Sequence, residues 1–443
     1  MNKLTVSMIS LGCSKNLVDT EVMMGYLQEA GHPLILEPED AQVVVINTCG
    51  FIDSAKEESI DNLLSTAKQK VDGGLQFLIA AGCLSQRFAA ELLVDLPEVD
   101  AFIGSSAYPQ IAEVIQRLVS GERGIVICSD PNHYLNHASM PRVQATQQAT
   151  AYLKIADGCD NHCSYCAIPA IRGSFRSRSM DDVVAEAQRM LTGGVREVCL
   201  VAHDTTRYGV DRNESMSLVV LCKELLPLPG LHWLRILYCH PAHISDDLLE
   251  LMATEPKLCS YLDIPVQHAA DGILQAMNRP YTGKDMLELV AKARRLVPGV
   301  TLRSSLIVGF PGEGEEEFQV LKEFVQQAAF DHLGVFTYSQ EEGTPAALLP
   351  SQLSKRVKEA RFQEIMELQK DLVSRLLTCM YNKEIEVLVE RQVDAEMFSG
   401  RCQGQAPDVD GRVLLCNSEA QIGEFVNAVI YDSRGYDLVG RKV

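Results

Sequence analysis

Residues 152–166 read Tyr-Leu-Lys-Ile-Ala-Asp-Gly-Cys-Asp-Asn-His-Cys-Ser-Tyr-Cys, a short apolar strand that runs directly into a cysteine-rich loop. Cys159, Cys163 and Cys166 therefore lie together after one strand. Three thiolates in one loop suit an iron–sulfur cluster, because structural zinc normally takes four ligands and ferredoxin motifs have other spacings. A zinc loop with a distant fourth ligand is the alternative. A four-iron cluster held by three cysteines keeps one iron open to bind a substrate.

Further strands and helices alternate after this loop. The strand candidates lie near 152–156, 197–202, 232–237, 261–266, 300–308 and 332–337, and helical stretches between them include 181–192, 285–296 and 315–328. Six β/α units predict an incomplete barrel of the TIM type, with chemistry at the carboxyl ends of its strands. The cysteine loop follows the first strand at that end.

The first hundred residues show a second alternating pattern. Short β-branched strands are predicted at 6–11, 43–46 and 77–81, with helices at about 17–30 and 54–71. This βαβαβ order predicts a mainly parallel sheet. Residues 132–150 are polar and aperiodic, which is typical of a connector between two packed units.

The last ninety residues change character again. A long amphipathic helix is predicted at 354–378, followed by strands at 384–390, 397–403, 412–415, 425–431 and 436–443. Five short strands of this size favour a small antiparallel barrel of the OB type. The predicted chain is thus an α/β protein with a parallel-sheet unit at 1–131, a linker at 132–144, a partial barrel at 145–376 and a small β-barrel at 377–443.

Three more cysteines occur at equivalent positions of the first unit. Cys13, Cys49 and Cys83 each follow an apolar strand and precede a helix. Because the carboxyl ends of parallel strands share one edge, we expect these thiols to meet at the crevice where ligands bind. A single cysteine at a strand end is usually a small buried apolar residue, but three at the same structural phase predict a second metal site.

The composition bounds the class of protein. The chain has 443 residues, of which 47% are hydrophobic and 22% charged, as in ordinary globular proteins. The apolar run at 4–11 is too short for a signal peptide or membrane span, so a cytoplasmic location and no membrane partner are predicted. The fourteen cysteines are then expected to be reduced thiols. The eight outside the two trios are predicted to be core residues.

The formal charge of −19 argues against general electrostatic binding to nucleic acid, which depends on Lys and Arg. A basic protein partner fits better. The alternative is that the charge only maintains solubility.

Five stretches of the chain follow the pattern of a known family: Leu-Gly-Cys-Ser-Lys-Asn-Leu-Val-Asp at 11–19, Asn-Thr-Cys-Gly-Phe-Ile at 47–52, Ala-Tyr-Leu-Lys-Ile at 151–155, Arg-Gly at 172–173 and Gly-Phe-Pro-Gly-Glu at 309–313. The cysteine loop, with Tyr165 beside its last cysteine, resembles the radical S-adenosylmethionine (SAM) superfamily. With these stretches, the sequence resembles the methylthiotransferases over essentially the whole chain. In such enzymes the terminal barrel is a TRAM domain.

Two branches of this family are relevant. One methylthiolates the β-carbon of an aspartate in ribosomal small-subunit protein uS12, and the other an adenosine of tRNA. Pro-Val-Gln-His at 265–268 and Ala-Pro-Asp-Val-Asp-Gly at 406–411 resemble the protein-modifying branch. Residues 379–443 carry seven Lys and Arg against eleven Asp and Glu, a net of −4, which suits a basic ribosomal protein and opposes phosphate. The tRNA-modifying branch is the alternative.

The resemblance implies two 4Fe-4S clusters and SAM as cofactors. The cluster on Cys159, Cys163 and Cys166 would bind SAM and cleave it to a radical that takes the aspartate hydrogen. The cluster on Cys13, Cys49 and Cys83 would deliver the methylated sulfur. A sulfur carrier and an electron donor are implied, and tight nucleic-acid binding is not. An electron carrier or sensor, with clusters but no SAM turnover, is a third class.

Additional SAM contacts are predicted at Tyr165, Gly309 and Gly312. Gly309 and Gly312 also fit a simple tight turn. The chain departs from the usual family pattern at three points: Gly-Glu-Gly at 312–314, His-Asp at 203–204 and Tyr-Cys-His-Pro at 238–241. The histidines near these strand ends are expected to be structural or to position the substrate, with His268 the first to test.

Overall fold

A computed structural model of the protein describes residues 3–71, 73–133, 135–146, 149–212, 216–416 and 419–443. The first unit is a six-stranded sheet in which every pair of neighbours is parallel. Its strands are β1 (Val6–Ser10), β2 (Leu34–Ile35), β3 (Val43–Thr48), β4 (Phe77–Gly82), β5 (Ala101–Gly104) and β6 (Ile125–Ile127). They lie in the order β2-β1-β3-β4-β5-β6, so the direction of winding reverses between β1 and β3. The predicted parallel sheet is confirmed.

Helices cover both faces of this sheet. They are α1 (Ser14–Glu29), α2 (Asp53–Val71), α3 (Cys83–Asp95) and α4 (Ile111–Val119). α1 and α4 pack on one face and α2 and α3 on the other. β3 and β4 are buried along their whole length, which explains why they read as unbroken apolar runs in the sequence.

The second unit is the partial barrel. Its strands are β7 (Thr150–Lys154), β8 (Ala156–Asp157), β9 (Arg176–Ser177), β10 (Glu197–Val201), β11 (Trp233–Ile236), β12 (Tyr261–Asp263), β13 (Thr301–Val308) and β14 (His332–Thr337). β7, β10 and β11 form one parallel sheet and β12, β13 and β14 another, and a parallel bridge between Leu234 and Leu258 joins the two. β8 and β9 form a separate short hairpin. All six predicted barrel strands are present.

Eight helices belong to this unit or follow it. They are α5 (Ile168–Arg172), α6 (Met180–Thr192), α7 (Leu218–Leu225), α8 (Asp246–Thr254), α9 (Asp271–Ala276), α10 (Gly283–Leu296), α11 (Glu315–Ala328) and α12 (Lys355–Thr378). Side-chain caps fix several helix starts: Ser217 accepts from the Val220 N–H, Ser245 from the Leu248 N–H, and Thr282 forms a capping box with Asp285. Short 3-10 turns, among them Thr205–Arg207 and Pro241–His243, lie at the strand ends.

The third unit is a closed five-stranded barrel of β15 (Glu384–Gln392), β16 (Met397–Arg401), β17 (Val413–Cys416), β18 (Phe425–Arg434) and β19 (Asp437–Lys442). Four of its strand pairs are antiparallel, but β17 and β19 are parallel. A purely antiparallel arrangement, as the sequence suggested, cannot close on itself with an odd number of strands, so one parallel pair is required.

All three units contribute to one apolar core inside the partial barrel. Val18 of α1 joins Tyr152 and Trp233 of the barrel strands and Leu388 and Ala406 of the third unit. The terminal barrel thus packs at the amino ends of the strands and the first unit at their carboxyl ends. The lumen is filled from both sides.

Ion pairs hold the segment predicted as a linker at 132–144 against the two units that it joins. Residue 134 of this segment lies outside the described residues. Arg142 Nε lies 2.9 Å from a carboxylate oxygen of Glu21 in α1, and its Nη1 lies 2.7 Å from Glu186 in α6. The connector therefore ties the first unit to the barrel. Within the described residues, none of the helices combines the length and the apolar character that a bilayer crossing requires.

Candidate active site

The first trio of cysteines, hereafter the N-terminal cysteine site, lies where β1, β3 and β4 end. Cys13 is the N-cap of α1, Cys49 follows β3, and Cys83 begins α3. Cys13 and Cys49 flank the reversal point between β1 and β3, where doubly wound sheets open a ligand crevice. The structure brings together the three thiols that the sequence predicted to meet.

Glycines allow these loops to approach one another. Gly12 has φ +85°, and a Cβ built on it would lie 2.9 Å from Cβ of Cys49. Gly82 has φ +96°, and a Cβ there would lie 2.3 Å from the side-chain oxygen of Asn47. A side chain at either position would push the cysteine-bearing loops apart.

The thiols of the N-terminal cysteine site shift one another's pKa values. Burial raises the pKa of Cys49 to about 12, and the neighbouring Cys83 and Cys13 add to the effect. Although part of Cys13 is open to solvent, the protein around its thiol opposes ionisation. Lys15, the backbone N–H of Asn16 and Arg172 outweigh this effect, so the pKa of Cys13 is lowered. Two of the thiols also stand at helix N-termini, which favour thiolates. The site therefore suits a bound cationic group that stabilises all three cysteines as thiolates.

The second trio, hereafter the barrel cysteine site, lies in the loop between β8 and α5. Cys159 is buried, and Cys163 and Cys166 are half-buried. Burial raises the pKa of Cys159 to about 11 and that of Cys166 to about 12. Each of these two pKa values is raised further by Cys163, which therefore lies near both thiols.

The loop that carries the barrel cysteine site is held from several sides. Asn161 donates to Asp204 at 2.8 Å, and the carbonyl of His162 accepts from Asn278 at 2.9 Å. The hydroxyl of Ser164 donates to the carbonyl of Ala276 at 2.7 Å. These bonds tie the loop to α9 and to the segments that follow β10 and α9.

Both trios fit a cluster of several atoms better than a single ion. Within the described residues, three ligand atoms that all lie within 4.8 Å of one another occur at Asp204, His240 and His243, and not at either cysteine trio. Thiolates on one zinc ion lie about 4 Å apart. Sulfurs that are spread more widely suit a four-iron cluster, which is the group the sequence predicts.

Asp204, His240 and His243 form a polar group beside the barrel cysteine site. Although burial opposes ionisation, hydrogen bonds from His243, Thr206 and Asn161 lower the pKa of Asp204 to about 2. Burial lowers the pKa of His240 to about 3, so this ring is neutral. The charged Asp204 thereby orients Asn161 in the cysteine loop. Two of the three departures from the family pattern, at 203–204 and 238–241, fall in this group.

Tyr165 and Arg279 form the other wall of the loop. The hydroxyl of Tyr165 accepts from Arg279 Nη2 at 2.9 Å, and the ring packs in a cluster with Met277 and Phe310. Within the part of the chain that the structure describes, the Nε and Nη1 of Arg279 are buried and have no hydrogen-bond partner. A buried guanidinium with two free donors fits an anionic group of a bound cofactor, such as the carboxylate of SAM.

The two predicted glycine contacts have other neighbours. Gly309 donates its N–H to Glu313 at 2.8 Å, and a Cβ there would lie 2.4 Å from the side chain of Lys358 in α12. Gly312 donates to the carbonyl of Ser351 at 3.2 Å. Their role toward SAM stays a prediction.

His268 is fully buried. Its Nδ1 accepts from the N–H of Ala270 at 3.0 Å, and its Nε2 lies 3.3 Å from Glu313, which pairs with Arg361. These contacts describe a residue that shapes the turn after β12. The neighbouring Gln267 has φ +73°, so the whole Pro-Val-Gln-His segment is a bent strand end.

The two cysteine sites are joined by buried charged residues whose contacts the sequence did not predict. Arg172, which ends α5 just after the barrel cysteine site, donates to Asp19 at 2.6 Å and approaches Sγ of Cys83 at 3.4 Å. Lys154, at the end of β7, lies 2.5 Å from Asp19 and 3.1 Å from Asp157. All four charged side chains are buried. Asp19, Lys154 and Arg172 each lie in a stretch that carries the family resemblance, but nothing in the sequence indicated that they meet.

A second buried network of charged and polar residues holds the terminal barrel against the partial barrel. Glu197 of β10 binds Arg235 at 2.8 Å and Arg401 of β16 at 2.5 Å. Tyr152 and Tyr261 donate to Asp408 and Asp410 at 2.9 Å and 2.6 Å. Part of the acidic charge of the terminal unit therefore faces inward.

Three family models match the chain. The "Uncharacterized protein family UPF0004" matches residues 5–104, the "Radical SAM superfamily" residues 153–325, and the "TRAM domain" residues 383–443. These matches contain both cysteine sites and the terminal barrel.

Curated relatives match over nearly the full length. The chain is 46% identical over 443 residues to the "Ribosomal protein uS12 methylthiotransferase RimO" of Trichlorobacter lovleyi, covering 100% of this chain and 98% of the relative. It is 46% identical over 437 residues to the protein of the same name from Geobacter sulfurreducens, covering 98% of each.

Solved structures share the fold. The radical SAM methyltransferase TsrM from Kitasatospora setae, with cobalamin and a [4Fe-4S] cluster bound, matches with a TM-score of 0.57 at 14% identity, covering 79% of this chain and 77% of that one. The cobalamin-dependent SAM radical enzyme OxsB, with aqua-cobalamin and SAM bound, matches with a TM-score of 0.53 at 12% identity, covering 84% and 58%. At this identity the likeness describes the architecture alone.

Proposed function

Because the chain belongs to the family of ribosomal protein uS12 methylthiotransferases called RimO, we propose that it adds a methylthio group to the β-carbon of an aspartate in uS12. It is a radical SAM methylthiotransferase that uses SAM and iron–sulfur clusters. The observation that carries the proposal is the pairing of two incomplete cysteine sites across one buried charge network. The tRNA-modifying alternative is not favoured, since the relatives over the full chain carry the uS12 name.

The proposal assigns one 4Fe-4S cluster to each cysteine site. Cys159, Cys163 and Cys166 hold the cluster that binds SAM, and Cys13, Cys49 and Cys83 hold the other. When bound, the first cluster and SAM supply a radical that removes hydrogen from an unactivated carbon, and the second supplies sulfur. Three ligands at each site leave one iron of each cluster open to a second partner.

The protein residues position these groups. Asp204 and Asn161 fix the loop of the barrel cysteine site, and Arg279 offers two donors beside Tyr165 for an anionic group of SAM. Arg172 holds the N-terminal cysteine site against α5. The packed lumen excludes water from one side of the site, which limits side reactions of a radical.

Further parts of the proposal concern partners, place and organisation. A sulfur carrier and an electron donor are required by the chemistry. A basic ribosomal protein suits the acidic chain, and tight nucleic-acid binding is not expected. We place the protein in the cytoplasm, where its ribosomal target is found. The division into 1–131, a linker at 132–144, 145–376 and 377–443 accords with the three sheet systems.

Cysteine variants test the two roles separately. Cys13→Ala should keep reductive cleavage of SAM to 5′-deoxyadenosine but abolish methylthio transfer to uS12, whereas Cys159→Ala should abolish both. Cys128→Ala, an exposed cysteine of the same unit, is the matched control and should keep both activities. Full methylthiolation by Cys13→Ala would overturn the role of the N-terminal cysteine site.

Mass spectrometry tests the substrate. Small-subunit ribosomal proteins from cells with and without the gene should differ by one methylthio group on one aspartate of uS12. An unchanged uS12 spectrum together with a missing methylthio group on tRNA would favour the second branch.

A further inference from the structure

Lys15 is a buried cation next to the N-terminal cysteine site. It lies two residues after Cys13, in the first turn of α1, and only 5% of it is exposed. Its Nζ lies 3.1 Å from the centre of the Tyr238 ring. Among the described residues, no carboxylate oxygen lies within 4.0 Å of this nitrogen, in contrast to the rule for buried charges.

Most other buried Lys and Arg side chains of the described residues are paired with a carboxylate. Six of them pair with a buried or half-buried carboxylate: Lys154, Arg172, Arg178, Arg235, Arg361 and Arg401. Arg279 is the second exception, but it donates to the hydroxyl of Tyr165 and the carbonyl of Pro265 on the SAM side of the barrel. Lys15 is thus the unpaired cation on the sulfur side.

The carboxylates nearest to Lys15 have other partners. Lys154 and Arg172 are balanced by Asp19 and Asp157. The next carboxylate that acts on Lys15 is Asp263, whose oxygens are bound by Arg303 at 2.9 Å and by the N–H of Tyr238 at 3.0 Å. Among the described residues, Lys15 therefore has no carboxylate of its own within ion-pair distance, which suits a bound anion.

Lys15 lies between the N-terminal cysteine site and the carboxyl end of the partial barrel. Cys13 beside it is exposed, so the N-terminal cysteine site opens to solvent at this point. Tyr238 beneath it follows β11 at the carboxyl end of the barrel, with φ +62°. A group bound at Lys15 lies between the sulfur site and the barrel mouth.

We propose that Lys15 binds the side-chain carboxylate of the target aspartate, an inference that rests on the proposed function. In aspartate the carboxylate is bonded directly to the β-carbon, so a charge that holds the carboxylate also places the carbon that reacts. An ammonium is a compact point charge that can hold one oxygen and leave the other free to turn. Tyr238 keeps the ammonium in place before the substrate arrives.

A double-mutant cycle tests this contact. The holoenzyme with both clusters and SAM, kept without reductant, is titrated with purified uS12 and with uS12 whose target aspartate is changed to asparagine. For the wild type, the asparagine substrate should bind roughly 30-fold or more weakly. Lys15→Met should bind the aspartate substrate with a similar loss and should no longer distinguish the two substrates.

Controls separate this role from others. Lys15→Gln should lose the discrimination like Lys15→Met, and Lys15→Arg should keep most of it. Lys284→Met, at an exposed lysine of α10, should behave as wild type. Iron content and SAM cleavage without substrate are measured in every variant. Lost discrimination at wild-type iron content supports the contact, whereas a loss of discrimination that only parallels a loss of iron would assign Lys15 to the cluster and overturn it.

The outcomes are distinct. Equal discrimination between aspartate and asparagine in wild type and Lys15 variants would overturn the contact. If instead the wild type fails to methylthiolate uS12 at all under turnover conditions, the proposed function itself fails.

Discussion

Arg172 Nη2 lies 3.4 Å from Sγ of Cys83, although the two residues are 89 positions apart and belong to different units. The same guanidinium binds Asp19 of α1 at 2.6 Å. Cys83 also packs against Ala167, the N-cap of α5, and against Ile171 within that helix. One short helix thus connects the loop of the barrel cysteine site to a thiol of the N-terminal cysteine site, and fixes how the two lie relative to each other.

Arg172→Gln is expected to impair the N-terminal cysteine site. It removes the positive charge beside Cys83 and leaves buried Asp19 with Lys154 alone, and breaking a buried ion pair costs about 3–5 kcal/mol. Iron per chain, measured in a background in which the barrel cysteines are alanine, should fall well below that of the background alone. Arg189→Gln, at an exposed arginine of α6, should leave iron content unchanged; equal loss in both would contradict the assignment.

Gly82→Ala should lower the free energy of unfolding and the iron content by more than the strain of a left-handed backbone alone would. A Cβ at Gly82 lies 2.3 Å from Asn47, whereas Gly121, with φ +100°, has open space around it. Gly121→Ala should therefore lose only about 1 kcal/mol from the left-handed backbone. Gly82→Ala should lose more, together with iron at the site, as measured by urea unfolding and iron analysis. Equal effects of the two substitutions would show that close approach is unimportant.

Glu197→Gln should loosen the terminal barrel from the partial barrel. The change leaves Arg235 and Arg401 buried without a carboxylate between them, with an expected loss of about 3–5 kcal/mol in the free energy of unfolding. Proteolysis near residues 379–383 should become faster. Glu367→Gln, at an exposed position of α12, should change neither the free energy of unfolding nor the proteolysis rate. An unchanged proteolysis rate in Glu197→Gln would show that Glu197 does not hold the two barrels together.

Glu197 also predicts how stability depends on pH. Burial opposes its ionisation, but Arg401 and Arg235 outweigh burial and lower its pKa from 4.5 to about 2. A lowered carboxyl pKa stabilises the folded state above the unfolded value, so this contribution is complete above pH 4.5 and is lost as the pH falls toward 2. Urea unfolding at pH 7, 4.5 and 3 should show the decline. Glu197→Gln should show a smaller decline over the same range.

The sequence predicted the strands and helices well because each unit has a clear period. The apolar runs of β3 and β4 and the long helix α12 are recognised from local residues alone. The positions of the six cysteines after strands also led to both trios, because parallel strands place their carboxyl ends at one edge. Their roles as cluster ligands stay predictions.

Contacts between distant segments could not be predicted in this way. The pairing of Lys154 with Asp19, and of Glu197 with Arg401, joins residues from separate units, and no local pattern marks either partner. The parallel pairing of β17 with β19 follows from barrel closure and not from the residues of either strand. The acidic terminal unit was read as a surface, yet Asp408 and Asp410 bind tyrosines of the barrel lumen.

The filled lumen described above has a consequence for the order of events. Among the described residues, the terminal barrel closes the amino ends of the strands, and the exposed Cys13 lies on the opposite, carboxyl side. On the proposed function, we expect SAM and the target loop to share this approach. A ribosomal protein docked there would then delay the release of methionine and 5′-deoxyadenosine, and it would leave before fresh SAM is bound.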